Sequence, residues 1–112
     1  MDAVALKSLK RLMAAPTPSG YEMPGQKIVR DYMRQYADTV RADVHGNVCG
    51  VLTSTAECRV MLAGHCDEIG LMVMHIDDKG YIGVAGVGGV NAPLLQGERV
   101  TIHGKKGPVP AV

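Results

Sequence analysis

The sequence predicts an α/β chain that starts as helix plus strand and finishes as strand alone. Apolar residues recur at helical spacing as far as about Ala37, and from Val40 the period falls to two. Beyond about Gly70 there are only short apolar runs separated by turns rich in Gly, Asp and Pro. That change divides the 112 residues into a first unit, 1–70, and a second, 71–112.

Asp2 can cap a first helix, on which Leu6, Leu9 and Met13, with Leu12 beside them, form a one-sided apolar stripe. Pro16 stops it. The segment Pro16-Thr17-Pro18-Ser19-Gly20 reads as a rigid turn, and Ser19 with Glu22 has the spacing of a capping box for a second helix. Pro24 and Gly25 fall in its first turns, so the helix is expected to consolidate from Gln26 and to run to about Ala37. Val29, Met33 and Tyr36, with Ile28 and Tyr32, supply its buried face. Val40, Ala42 and Val44 alternate with charged residues, His45-Gly46-Asn47 turns the chain, and Val48 to Leu52 runs back, which predicts a hairpin. Arg59 to Gly64 is nearly continuous apolar sequence, the pattern of a strand covered on both faces. Strands are then expected over Ile69 to Ile76, Tyr81 to Val87 and Arg99 to His103.

Composition bounds the function. Lys+Arg 12 against Asp+Glu 11 gives a net charge of +1, which excludes binding to nucleic acid or to a membrane surface by bulk charge. No apolar run is long enough for a membrane span, and no signal peptide is evident. Cys49, Cys58 and Cys66 have neither disulfide-framework nor zinc-ribbon spacing, so a reducing, cytoplasmic setting is expected. Area scaling gives roughly 5,900 Å² folded against roughly 17,000 Å² unfolded, enough to bury about 65% of the surface around one modest core. With no Phe or Trp, seven Met would fill it. The second unit has only 42 residues and no helix to cover its strands, leaving open edges and an apolar face that natural domains avoid. An incomplete chain is expected.

The strongest chemical signal is Gly64-His65-Cys66-Asp67. In an extended segment His65 and Asp67 project to one side of the strand end, where a carboxylate can hold an imidazole's tautomer and strengthen its other nitrogen as a metal ligand. Glu68 would face away, in a structural or surface role. His45, His75 and His103 read as turn or strand residues. A nucleophilic role for Cys66 would need a base and an orienting group beside an activated thiolate. Gly86-Val87-Gly88-Gly89 has no lysine or helix start for a phosphate loop, Lys105-Lys106 is a basic turn, and Met61, Met72 and Met74 are packing residues.

The run Leu62 to Val73 resembles the segment that opens the active site of the tetrahedral aminopeptidases, the glutamyl and deblocking aminopeptidase family of two-metal peptidases. Ala15 to Glu22, the Asp43-Val44-His45-Gly46-Asn47-Val48 turn and Gly97 to Val112 resemble it too, in family order and spacing. The resemblance implies the N-terminal part of an α/β/α catalytic domain over 1–70. It implies the opening strands of a β-rich, barrel-like assembly domain over 71–112. His65 falls on a metal-ligand histidine, and Asp67 on the aspartate that orients that ligand and supports catalysis. The implied cofactors are two divalent metal ions, zinc or cobalt. The implied partners are peptide substrates and further copies of the chain in a tetrahedral dodecamer.

The family's other metal ligands, its general-base glutamate and its specificity pocket lie beyond Val112. Ala111 stands where the family usually has glycine, and Asn91-Ala92-Pro93 departs from the usual sequence. The leading expectation is therefore a metal-dependent aminopeptidase trimming peptide N-termini, present as an N-terminal fragment that is inactive by itself. The alternative is a catalytically silent assembly or binding module. An endoglucanase role, a label also attached to this family, finds no support, because Asp67 and Glu68 are adjacent and cannot flank a sugar.

Overall fold

Helix α1 spans Ala3–Met13 and begins where the Asp2 side chain accepts the Ala5 N–H at 2.7 Å, filling one of the vacant donors of the first turn. Lys10 and Arg11 occupy its last turn, where cations suit the negative end of the helix dipole. The structure, a computed structural model, describes residues 2–52 and 57–112. Helix α2 spans Met23–Met33, starting three residues earlier than the sequence suggests because Pro24 sits in the first turn, where its missing N–H costs nothing. It also ends earlier than Ala37: Gln35 and Tyr36 bond back to the carbonyls of Tyr32 and Met33 in a tightened terminal turn. Leu9 and Leu12 of α1 face Ile28, Val29, Tyr32 and Met33 of α2 across an apolar groove of about 230 Å³.

Where the helices meet the next loop, Gly25 is buried, and a side chain there would overlap the Thr17 methyl. Thr17 is only 4% exposed. The hairpin read from the period-two stretch forms as expected: β1 (Thr39–Ala42) pairs antiparallel with β2 (Val48–Val51). Its turn is organised by Asp43, whose Oδ1 accepts the N–H groups of His45 and Asn47, each at 2.9 Å, while Oδ2 accepts the Asn47 amide at 2.8 Å. Strand β2 packs on α2 through Gly50, which lets the Met33 sulfur approach closely.

The Arg59 to Gly64 strand does not form. These residues join no ladder among the described residues, and Val60, Met61 and Leu62 are 79%, 88% and 93% exposed. An apolar run marks a segment able to be covered on both faces, but a strand exists only when neighbours supply hydrogen bonds, and no hairpin here does so.

Strands β3 (Gly70–Ile76) and β4 (Ile82–Val87) form an antiparallel ribbon with an irregularity between Val73 and His75. A short 3₁₀ turn at Ala92–Leu95 leads to β5 (Val100–Gly104) and β6 (Gly107–Ala111), also antiparallel. Pro108 and Pro110 of β6 lie two residues apart, so their missing N–H groups fall on one edge of the strand, the arrangement a ribbon tolerates.

Among the described residues the result is an α/β arrangement of two α-helices and three two-stranded antiparallel sheets, not a single layered core. No apolar side chain is buried among the described residues. The accessible surface is 9593 Å², well above the roughly 5,900 Å² of a compact chain of this mass. The radius of gyration is 18.0 Å, against about 13 Å for a compact domain of this length. The modest core expected from area scaling is thus absent among the described residues, because each ribbon leaves apolar residues exposed, as at Val51, Met74 and Val109, and no second layer lies over them. Among the described residues no helix is long and apolar enough to cross a membrane.

Candidate active site

The loop after α1 is fastened to the segment that carries His65 and Asp67. Pro18 and Glu68 form a parallel bridge: the Glu68 N–H donates to the Thr17 carbonyl at 2.9 Å, and the Ser19 N–H donates to the Glu68 carbonyl at 3.3 Å. The Glu68 carboxylate accepts the Thr17 N–H at 3.0 Å, so Glu68 has the structural role expected of it. Close approach is possible because residue 70 is glycine; a Cβ there would stand 2.8 Å from the Pro18 Cβ.

On this support His65 and Asp67 meet as the i, i+2 alternation anticipates. His65 Nδ1 lies 2.8 Å from Asp67 Oδ1, and Asp67 Oδ2 accepts the Ser19 hydroxyl at 2.6 Å. The Ser19 hydroxyl first, and the His65 ring second, hold the Asp67 carboxyl below its ordinary pKa. An ionised carboxylate can only accept, so a neutral His65 ring carries its proton on Nδ1 and leaves Nε2 bare. The side chain of His65 is 85% exposed and that of Asp67 39%, so Nε2 is open to a ligand.

This donor set suits one ligand position of a metal centre: an imidazole whose far nitrogen is free and whose near nitrogen is oriented by a carboxylate. It is not a full set. Among the described residues no cluster of three or more His, Cys, Asp or Glu could hold a metal ion. Nor does the groove between α1 and α2 include His65 or Asp67.

Ser19 is not a helix cap, contrary to its spacing from Glu22. Glu22 sits at the N-cap of α2 without a capping side-chain bond and accepts the Gly20 N–H at 2.6 Å instead. Ser19 turns to Asp67, 48 residues away, a contact with no local signal in the sequence. Bonded to the carboxylate and not to the imidazole, it also lacks the serine-to-histidine link of a nucleophile relay. Cys66 lies between the pair, and burial, followed by the Glu22 and Asp67 charges, pushes its thiol pKa up, away from a reactive thiolate. His75 lies across the ribbon from Gly83, and His103 stacks obliquely on Tyr21 with ring centroids 5.8 Å apart.

The family model for M42 glutamyl aminopeptidases matches residues 46–112. The chain belongs to that family. It is 39% identical over 100 residues to a lysyl aminopeptidase of Pyrococcus furiosus, covering 88% of this chain and 29% of the relative. To a glutamyl aminopeptidase of Lactococcus lactis it is 32% identical over 106 residues, covering 90% and 30% respectively. The crystal structure of a TET aminopeptidase from a marine-sediment Thaumarchaeota archaeon superposes with a TM-score of 0.90 at 35% identity, over 97% of this chain and 31% of that one. The chain therefore spans about 30% of the length of these relatives.

Proposed function

We propose that this chain carries the N-terminal part of the active site of a metal-dependent aminopeptidase that removes N-terminal residues from peptides, and that its 112 residues are inactive alone. The observation that carries the reading is the 2.8 Å contact between His65 Nδ1 and Asp67 Oδ1, which supports Nε2 as the nitrogen left for a metal. Asp67 keeps the ring in that tautomer and orientation, and it is the chain's candidate catalytic carboxylate. When bound, two divalent ions supply Lewis-acid polarisation of the scissile carbonyl and lower the pKa of water. The remaining ligands and the general-base glutamate are assigned to polypeptide beyond these residues.

The finer parts of the proposal are zinc or cobalt as the metal, since one imidazole suits either, and a cytoplasmic location, supported by the free thiols of Cys49, Cys58 and Cys66. Residues 1–70 are assigned to the catalytic domain and 71–112 to a β-rich, barrel-like domain used in assembly as a tetrahedral dodecamer. The exposed apolar residues of the β3–β4 ribbon, among them Met72, Met74 and Ile76, support association. A second reading is a catalytically silent assembly module, which the exposed apolar residues of the same ribbon would serve.

The test joins the chain to the remaining two thirds of an M42 relative and measures divalent metal per chain together with hydrolysis of amino-acid p-nitroanilides. About two metals per chain, as a two-metal centre requires, and hydrolysis abolished by chelation support the aminopeptidase. A well-folded homo-oligomer holding no metal and cleaving nothing selects the silent module.

A further inference from the structure

The site contains one hydrogen bond that its proposed chemistry does not require and its sequence does not announce, that of Ser19 with Asp67. A carboxylate held by a single partner can still swing about its Cβ–Cγ bond. Here the two oxygens are engaged separately, Oδ1 by His65 and Oδ2 by Ser19, and this fixes the plane of the group. The hydroxyl is itself fixed. Its residue is tied to Glu68 through the backbone, the preceding Thr17 is buried beside Gly25, and Pro18 is seated against Gly70. Glu22 bonds to Gly20, and no capping bond competes for the Ser19 side chain.

We propose that Ser19 is a positioning residue of the site, clamping the Asp67 carboxylate so that the His65 ring stays protonated on Nδ1 and directs a bare Nε2 outward. The inference rests on the metal-ligand reading of His65 for its function, though its geometry stands without it. The loop that follows α1 is then part of the site, and the register between Pro18 and Glu68 sets the direction of a ligand three residues before the bridge. Losing a partner that orients a metal ligand typically costs 10 to 100-fold in metal affinity or activity; acting through Asp67, Ser19 should lie near the lower end, about tenfold.

The experiment is magic-angle-spinning ¹⁵N NMR on the full chain labelled at histidine, which reads protonated and bare ring nitrogens directly and needs neither metal nor a small monomer. The His65 signals are assigned by their loss in His65→Ala. In the parent chain His65 is expected to show a protonated Nδ1 and a bare Nε2. Ser19→Ala should shift it toward the opposite or a mixed tautomer while the His103 signals, which report the Tyr21 contact, stay in place; Ser19→Thr, which keeps a hydroxyl, should restore the parent pattern. A parent His65 with a bare Nδ1, or a Ser19→Ala spectrum identical to the parent, overturns the proposal. If Ser19→Ala also displaces the His103 signals, Ser19→Thr decides: a restored fold without the protonated Nδ1 overturns the role, and the full parent pattern supports it. Because the readout is metal-free, loss of the aminopeptidase reading leaves this result intact, and an active enzyme with an unmoved tautomer defeats only the role of Ser19.

Discussion

Urea denaturation of the isolated chain offers a direct test of how little of this fold stands alone. An extended chain of this mass exposes roughly 17,000 Å² and a compact one roughly 5,900 Å², so ordinary unfolding would uncover about 11,000 Å². Here the folded surface is already 9593 Å². Unfolding therefore uncovers only about 7,500 Å², and because the denaturant slope scales with the area exposed, it should be about two-thirds of that of a compact domain of equal length. The same surface carries Met61, Leu62, Met72, Met74 and Ile76, each more than half exposed, and should bind an apolar dye before any denaturant is added. The assay follows dye fluorescence and far-ultraviolet circular dichroism against urea, with sedimentation at several concentrations. A shallow, broad transition at low concentration and association as concentration rises are expected. A monomer at all concentrations, dark to the dye and unfolding with the full slope, would refute the reasoning.

Three further outcomes follow from the geometry. In the chain joined to the rest of an M42 relative, His65→Ala should lower kcat/KM by more than about 100-fold, since the proposed function makes His65 a metal ligand and not merely a partner of one; activity within a few-fold of the parent would exclude His65 from the metal site. Gly25→Ala puts a Cβ against the Thr17 methyl, an overpacking that costs about 1 to 3 kcal/mol, and amide exchange in α1 and α2 should quicken while the β5–β6 ribbon is unaffected. The Asp43 turn is pH-dependent: the Asn47 amide first, then the backbone N–H groups of Asn47 and His45, hold its carboxyl below the ordinary value. A lowered folded pKa means the turn's contribution is fully present above the ordinary carboxylate range and is lost as pH falls through the depressed value. Amide protection factors in β1–β2, corrected for the intrinsic slowing of exchange in acid, should therefore fall on acidification below the ordinary carboxylate range, and Asp43→Ala should remove that dependence.

Much of the local structure was legible because local rules carry it. Asp2 sits where a cap belongs, and the fall of the period from 3.6 to 2 after Ala37 marks α2 and the β1–β2 hairpin whatever else the chain does. The pairing of His65 with Asp67 was legible for the same reason, since residues two apart in an extended segment share a side. Glu68, whose carboxylate accepts the Thr17 N–H, has the structural hydrogen bond expected of it.

Two readings failed where a distant partner decides. Arg59 to Gly64 has the apolar run of a covered strand and no ladder among the described residues, because sequence records what a segment can bury and a strand also needs a neighbour's N–H and C=O groups. Ser19 has the spacing of a helix cap, yet its hydroxyl goes to Asp67, a charged acceptor brought beside it by the Pro18–Glu68 bridge. By itself, then, the sequence determined that two helices form, where the β1–β2 hairpin turns and that His65 meets Asp67, all set by contacts within a few residues. Only the tertiary structure decided which loop holds that pair and which apolar segments stay uncovered, because those depend on groups dozens of residues apart and on surfaces that must be supplied from outside the segment that needs them.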